Sequence, residues 1–96
     1  MDNFPESSEP VSIPIEDTID LHTFLPHEVP SLLNEYLGEC VKAGIFELRI
    51  IHGKGKGILR ETVHSCLVQS PLVESFRLGN ESSGEWGATI VQLRKL

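Results

Sequence analysis

Two amphipathic helical patterns, each set between short apolar runs, limit the folds open to this chain more than any other feature. In the first pattern, apolar residues recur at the three- and four-residue spacing of one helix face. They are Val29, Leu32, Leu33, Tyr36, Leu37, Cys40 and Val41. The second predicted helix runs from about Ile58 to Gln69, with Leu59, Val63, Cys66 and Leu67 on one stripe. Because a helix with one apolar stripe needs a second layer to cover it, the runs between the helices are expected to form a sheet.

Four runs have the composition and alternation of strands. They cover residues 15–22, 46–51, 72–78 and 88–93. The predicted order is therefore β-α-β-α-β-β. Right-handed crossovers between parallel strands place both helices on one face, and the last two strands can pair antiparallel through the loop between them. We expect a two-layer α/β sandwich with a four-stranded mixed sheet, whose strand order the sequence leaves open.

The net charge of −6 is unevenly distributed along the chain. Residues 1–14, rich in Pro, Ser and acidic side chains, are predicted to form a flexible acidic tail before a folded domain over residues 15–96. Residues 1–19 carry no Lys or Arg, so the remainder of the chain is close to neutral. The acidity argues against an indiscriminate nucleic-acid coat protein but leaves room for a local basic patch.

The two cysteines indicate an intracellular setting. Cys40 and Cys66 fall on the apolar stripes, so we interpret them as small buried hydrophobes rather than as a disulfide or redox pair. The N-terminus lacks the basic and apolar regions of a signal peptide, and no apolar run approaches the about 20 residues of a membrane span. The expectation is a cytoplasmic monomer without a membrane partner.

A glycine- and lysine-rich junction joins the second strand to the second helix. Glycine permits a close backbone approach, and a helix N-terminus offers free N–H groups to an anion. The junction is neither a Walker A loop nor a dinucleotide fingerprint. A flexible turn with solvated lysines is the alternative interpretation. The candidate phosphate-binding residues are Gly53, Lys54, Gly55, Lys56, Gly57 and Arg60.

Two histidines close predicted parallel strands, His22 the first and His52 the second. Because the carboxyl ends of parallel strands meet at one edge, where open α/β sheets bind ligands, both are expected at the same rim. Asp20 lies two residues before His22 and can orient an imidazole. One imidazole could take a proton from a nucleophile while the other protonates the leaving oxygen of a phosphodiester. Asp20, His22 and His52 are therefore the candidate catalytic residues.

Metal involvement stays open at this point. With RNA, the substrate's own 2′-hydroxyl could be the nucleophile, and no cofactor is then required. Alternatively, Asp20 together with water and phosphate could hold Mg²⁺. A transition-metal site built from Asp20, His22 and His52 is a further alternative, although the spacing is not diagnostic.

Three motifs resemble those of the Smr (small MutS-related) domain family, over about residues 15–93. They are Ile19-Asp20-Leu21-His22, the histidine–glycine junction beginning at His52, and the terminal run Gly87-Ala88-Thr89-Ile90-Val91-Gln92-Leu93. The resemblance implies a β-α-β-α-β-β fold similar to the C-terminal domain of bacterial translation initiation factor three. It also implies endonuclease activity, which several members have, and functional roles for Asp20, His22, His52, Gly53 and Gly55.

The chain departs from the family motif at Thr23, where the motif has glycine, and in this it is similar to the short stand-alone bacterial members. A β-branched residue there is expected to narrow backbone access to the site. His64 is expected to be a surface or boundary residue, and Trp86 to pack on the core rather than stack on a base. The predicted function is binding of structured DNA or RNA with endonuclease activity. The alternative is a non-enzymatic nucleic-acid or protein interaction module.

Overall fold

Alternating helical and extended patterns fold into the predicted order of elements. A computed structural model describes residues 14–53, 57–79 and 87–95. Its elements are β1 (Thr18–Asp20), a 3-10 turn (Pro26–Glu28), α1 (Val29–Ala43), β2 (Glu47–Ile51), α2 (Ile58–Gln69), β3 (Val73–Leu78) and β4 (Ala88–Leu93). The predicted α/β class and the bounds of the second helix are confirmed.

The four strands form one mixed sheet in the order β1-β2-β4-β3. β1 runs parallel to β2 with Asp20 opposite Ile51, and β4 is antiparallel to both β2 and β3. The crossover through α2 carries the chain from β2 past one strand position to β3. The last strand fills that position, so β4 has a partner on each side and most of its residues are buried.

One apolar core lies between the sheet and the helices. α1 and α2 contact each other, and their stripes join Ile19, Leu21, Leu48, Ile50 and the inward residues of β3 and β4 in a single cluster. Cys40 is buried in this cluster and Cys66 is half-buried, both as free thiols. Burial raises the pKa of Cys40 to about 11, as expected for a cysteine that packs as an apolar residue.

The first strand is shorter than the predicted run over residues 15–22. The Tyr36 hydroxyl accepts from the Glu16 N–H at 3.1 Å and donates to the Glu16 carbonyl at 2.6 Å. These bonds replace sheet pairing at the start of the run. At its end, the Leu21 N–H still donates to the Ile51 carbonyl at 2.7 Å, so the alternation of side chains continues past Asp20.

Several predictions fall on parts of the chain that the structure does not describe. The flexible acidic tail lies almost wholly within residues 1–13, so the division into a tail (1–14) and a domain (15–96) stays a prediction. Lys54, Gly55 and Lys56, and also Trp86, lie outside the described residues. Of the helices that are described, neither is long and apolar enough to cross a membrane.

Candidate functional site

An exposed carboxylate–imidazole pair stands where β1 ends. Along this strand Ile19 and Leu21 point into the core, so Asp20 and His22 project from the opposite face. His22 Nδ1 lies 2.5 Å from Asp20 Oδ1, and the backbone N–H of His22 donates to the same oxygen at 3.0 Å. The side chains are 55% and 51% exposed. Both are therefore open to a ligand.

The hydrogen bonds of this pair fix its protonation. Partial burial would raise the pKa of Asp20, but the hydrogen bonds from the ring and the backbone of His22 outweigh that effect and hold the pKa below its usual value. An ionised carboxylate only accepts, so His22 Nδ1 carries the hydrogen. In the neutral ring, Nε2 then carries a lone pair, which accepts no hydrogen bond from the residues that the structure describes. The pair has the arrangement of a general base oriented by a carboxylate.

Gly53 joins the two motifs in space. Continuing the β1–β2 register beyond Asp20 and Ile51 places His22 opposite Gly53. A Cβ built on Gly53 would lie 3.4 Å from the His22 Cβ, and the φ angle of Gly53 is +85°, which disfavours any other residue. Its N–H donates to the Gly87 carbonyl at 2.8 Å. The glycine junction thus begins beside His22, close to its Cβ.

His52 stands at the same end of the sheet but faces the other way. It follows Ile50 by two residues, so its ring points toward the helical layer, and it is only 4% exposed. Nδ1 lies 3.0 Å from the Gly53 carbonyl oxygen and Nε2 lies 2.9 Å from Thr89 Oγ1. Within the described residues, His22 and His52 share neither a hydrogen bond nor a ring contact. The sequence predicted one rim for both residues, and the structure places their rings on opposite faces at that rim.

Arg60 supplies positive charge where α2 begins. Its guanidinium folds back over Gly57, where an added Cβ would lie 2.7 Å from Nη2, and the φ of Gly57 is +88°. Among the described residues, no side chain caps this helix start. Free first-turn N–H groups and a guanidinium together favour an anion at this position. Lys54 and Lys56 belong to the segment outside the described residues that links this point to Gly53.

A model of the Smr domain matches residues 19–94. The chain belongs to the Smr domain family. The resemblance drawn from the motifs is thereby confirmed.

Curated relatives carry this domain in longer proteins. Endonuclease MutS2 of Clostridium tetani is 39% identical over 80 residues, which is 83% of this chain and 10% of the relative. Endonuclease MutS2 of Acetivibrio thermocellus is 40% identical over 80 residues, with the same coverage of each chain. The Smr chain described here spans about a tenth of the length of these relatives.

Two solved structures are similar over most of the chain. The Smr domain of Thermus thermophilus MutS2 has a TM-score of 0.76 and 33% identity, covering 82% of this chain and 99% of that one. YdaL, a stand-alone small MutS-related protein from Escherichia coli, has a TM-score of 0.75 and 25% identity, covering 85% and 67%. The Smr fold therefore accounts for nearly all of the described chain.

The sequence did not predict two polar neighbours of His52 in this Smr domain. Thr89 is fully buried, and its Oγ1 lies 2.6 Å from His64 Nε2 as well as 2.9 Å from His52 Nε2. The His64 ring also lies edge-on to His52, with centroids 6.0 Å apart, and against Phe76 at 5.0 Å. His64 is half-buried, as predicted for a boundary residue. A threonine inside an apolar strand was the available signal, since a buried hydroxyl requires a polar partner.

The imidazoles of this second group are held in their neutral forms. Burial is the main effect that lowers the pKa of His52; the Gly53 carbonyl opposes it and Arg60 adds to it. Burial also lowers the pKa of His64, with smaller contributions from His52 and Arg60. The buried imidazoles thus differ from His22, which lies against an ionised carboxylate in the open.

Few side chains at this site could bind a metal ion. Within the described residues, no group of three or more His, Cys, Asp or Glu side chains could hold one. Asp20 has one carboxylate oxygen engaged with His22, which leaves Oδ2 as a possible ligand. A hydrated Mg²⁺ fits this donor only if water and substrate phosphate complete its coordination. The transition-metal alternative would need Asp20, His22 and His52 on one side of the sheet.

Proposed function

We propose that this Smr domain binds structured DNA or RNA and cleaves the phosphodiester backbone, with His22 as the general base. The observation that carries this proposal is the exposed Asp20–His22 pair, 2.5 Å apart, standing against the backbone of Gly53. The MutS2 relatives that share the domain are named endonucleases, which adds family support.

The chemistry follows from the free nitrogen of His22. Nε2 takes the proton of the attacking oxygen, from water or from a ribose 2′-hydroxyl, and Asp20 stabilises the imidazolium that forms. The new P–O bond forms as the bond to the leaving oxygen breaks, and that oxygen takes its proton from solvent. Asp20 Oδ2 is also the protein ligand that a hydrated Mg²⁺ would use, and such an ion would neutralise phosphate charge.

We assign phosphate binding to the junction between β2 and α2. Arg60 and the start of α2 provide charge and N–H groups, and the sequence adds Lys54 and Lys56. Gly53 and Gly57, with Gly55 between them in the sequence, keep side chains away from the backbone. Positive charge here offsets the negative charge that develops on the transferred phosphoryl group.

In this proposal His52 does not take part in proton transfer, whereas the sequence predicted that one of the two histidines is the general base and the other the general acid. Both of its ring nitrogens have hydrogen-bond partners and the ring is buried, so it has no free nitrogen to offer a leaving group. Its bond to the Gly53 carbonyl supports a role in fixing the backbone beside His22. We therefore assign proton transfer to His22 and positioning to His52.

Titration of a branched DNA and an RNA hairpin, each with and without Mg²⁺, tests the proposal by amide NMR and gel electrophoresis. We expect shifts at Gly53 and Gly57, affinity that falls steeply with salt, and cleaved products on the gel. The double variant Lys54→Glu and Lys56→Glu should remove binding. Absence of both binding and products in every arm would overturn the proposal.

A non-enzymatic binding module is the second candidate function. It is favoured by the burial of His52, which leaves His22 as the single exposed imidazole of the predicted pair. Thr23, exposed next to His22 where the family motif has glycine, also narrows this side of the site. Salt-sensitive binding without products would support a nucleic-acid adaptor, whereas salt-insensitive binding of a protein would support a protein interaction module.

A further inference from the structure

A buried hydroxyl stands between two imidazoles beneath α2. Thr89 Oγ1, with no exposed surface, lies within hydrogen-bond distance of Nε2 of both His52 and His64. The other nitrogen of His52 faces the Gly53 carbonyl. The residue that follows β2, the strand β4 and the helix α2 thus contribute one polar group each beside the apolar core cluster.

The direction of each hydrogen bond in this group follows from its chemistry. A carbonyl oxygen only accepts, so His52 Nδ1 must carry a hydrogen and donate to Gly53. In a neutral ring Nε2 then has a lone pair, and the Thr89 hydroxyl must donate its single hydrogen to it. Thr89 Oγ1 is left as an acceptor for His64, whose Nε2 therefore carries a hydrogen. Only this arrangement satisfies every buried member of the group.

We propose that Thr89 and His64 are positioning residues of the site, which hold the His52 ring from its Nε2 side so that its Nδ1–H stays on the Gly53 carbonyl and keeps that backbone beside His22. The role in cleavage rests on the proposed function, whereas the tautomer and the bond to Gly53 do not. We call the three hydrogen bonds from His64 through Thr89 and His52 to Gly53 the histidine–threonine chain.

Gly53 is the point at which the histidine–threonine chain reaches the exposed site. Its N–H is held by the Gly87 carbonyl at 2.8 Å and its carbonyl by His52 at 3.0 Å. Gly87 immediately precedes β4 and Thr89 is its second residue, so the start of one strand anchors both sides of Gly53. Because Gly53 is opposite His22 in the continued register of β1 and β2, a constraint on this backbone also limits the position of the general base. Removing the Thr89 hydroxyl leaves the His52 lone pair buried and unpaired, and the ring loses one of the two hydrogen bonds that hold its orientation.

Nitrogen-15 NMR of the imidazole side chains tests this proposal on the whole chain. Wild type is expected to show His52 with its hydrogen on Nδ1 and His64 with its hydrogen on Nε2. Thr89→Val keeps the shape but removes the hydroxyl. It should shift the His52 Nε2 resonance to that of a nitrogen that accepts no hydrogen bond, and speed hydrogen exchange of the Gly53 amide about ten- to hundredfold. Thr89→Ser restores the hydroxyl and should restore both the Nε2 resonance and the exchange rate.

A matched control uses Thr62, whose hydroxyl donates to the Ile58 carbonyl within α2 and lies outside the histidine–threonine chain. Thr62→Val should leave both the tautomers and Gly53 exchange as in wild type. In cleavage assays, Thr89→Val should lower kcat about tenfold with a smaller change in KM, because positioning and not binding is lost.

The outcomes separate this inference from the proposed function. A wild-type His52 with its hydrogen on Nε2, or a Thr89→Val protein with the wild-type Nε2 resonance and Gly53 exchange, overturns the inference even if nucleic acid is cut. The expected tautomers in a protein that cuts no substrate uphold the histidine–threonine chain and remove only the proposed endonuclease function. Should Thr89→Val fail to fold, the wild-type and Thr89→Ser spectra still decide.

Discussion

Two imidazole sites lie at the same end of this sheet, and they differ in almost every physical respect. At the end of β1, His22 is about half-exposed and pairs with an ionised Asp20, and its Nε2 makes no hydrogen bond with the described residues. At the end of β2, His52 is 4% exposed and uses both nitrogens in hydrogen bonds to Gly53 and Thr89. The two strands are parallel neighbours, so the difference does not come from their positions along the sheet.

The register of the two strands produces the difference. Asp20 lies opposite Ile51, which places Leu21 opposite His52 and His22 opposite Gly53. Residues that lie opposite each other on neighbouring strands point to the same face of the sheet. His52 therefore points to the same buried face as Leu21, whereas His22 points to the open face. A shift of β1 by one residue would instead turn His22 to the buried face, on the same side as His52. The same side chain thus serves as an exposed base on one strand and as a buried hydrogen-bonding group on the next.

Replacing each histidine with alanine tests most directly whether the two sites differ in this way. His22→Ala should lower cleavage about 10²- to 10⁴-fold while the free energy of unfolding changes by less than about 0.5 kcal/mol, because the side chain is exposed. Nicking of a plasmid or cleavage of an RNA substrate measures the first effect, and urea unfolding measures the second. His27→Ala is the matched control, since His27 is an exposed histidine of the 3-10 turn.

His52→Ala should instead lower the stability of the fold strongly. It leaves Thr89 and the Gly53 carbonyl without their partner and opens a cavity, so it should destabilise the fold by about 2–4 kcal/mol in urea unfolding. Any activity that remains should be measured well below the unfolding transition. If His22→Ala is the variant that unfolds the protein while His52→Ala leaves stability unchanged, the assignment of one exposed and one buried role is wrong.

Local patterns predicted the parts of this domain that depend on local sequence. The stripe that ends at Ser70-Pro71 gave α2 its observed bounds, and the motif spacing brought Asp20 to His22 and the glycine junction to the same rim. The position of β4 between β2 and β3 and the β1–β2 register depend on pairing between distant segments. Sequence reasoning therefore placed both histidines at one rim but could not assign their faces, and Thr89 was not recognised as their neighbour.

Gly53 lies between the two sites, so adding a methyl group there tests how strongly its backbone conformation is required. Gly53→Ala should destabilise the protein by about 1–2 kcal/mol because its φ of +85° is in the left-handed region. The added Cβ would only touch the His22 Cβ at 3.4 Å, so strain in the backbone is the main cost. Gly38→Ala, inside α1 with nothing within 4 Å of the added Cβ, should instead stabilise by about 0.5–1 kcal/mol. Urea unfolding of both variants measures this, and equal effects of the same sign would contradict it.

The smallest expected effect is the dependence of stability on pH, which reports only on the buried site. Burial lowers the pKa of both His52 and His64 in the folded chain, whereas an unfolded histidine has a pKa of about 6.5. Below that value the unfolded chain binds protons that the folded chain does not, so stability should fall as the pH decreases from about 7.5 to about 5.5. The groups around these rings are Thr89, Phe76 and Arg60, and the guanidinium acts in the same direction as burial.

His64→Gln removes one of the two titrating rings and keeps an N–H that can donate to Thr89, so the pH-dependent loss of stability should become smaller than in wild type. Urea midpoints at several pH values measure the change. A loss as large as that of wild type would mean that His64 is not one of the groups held neutral by burial. In that case the pH dependence of stability would come from His52 alone, and only one buried imidazole would contrast with the exposed His22.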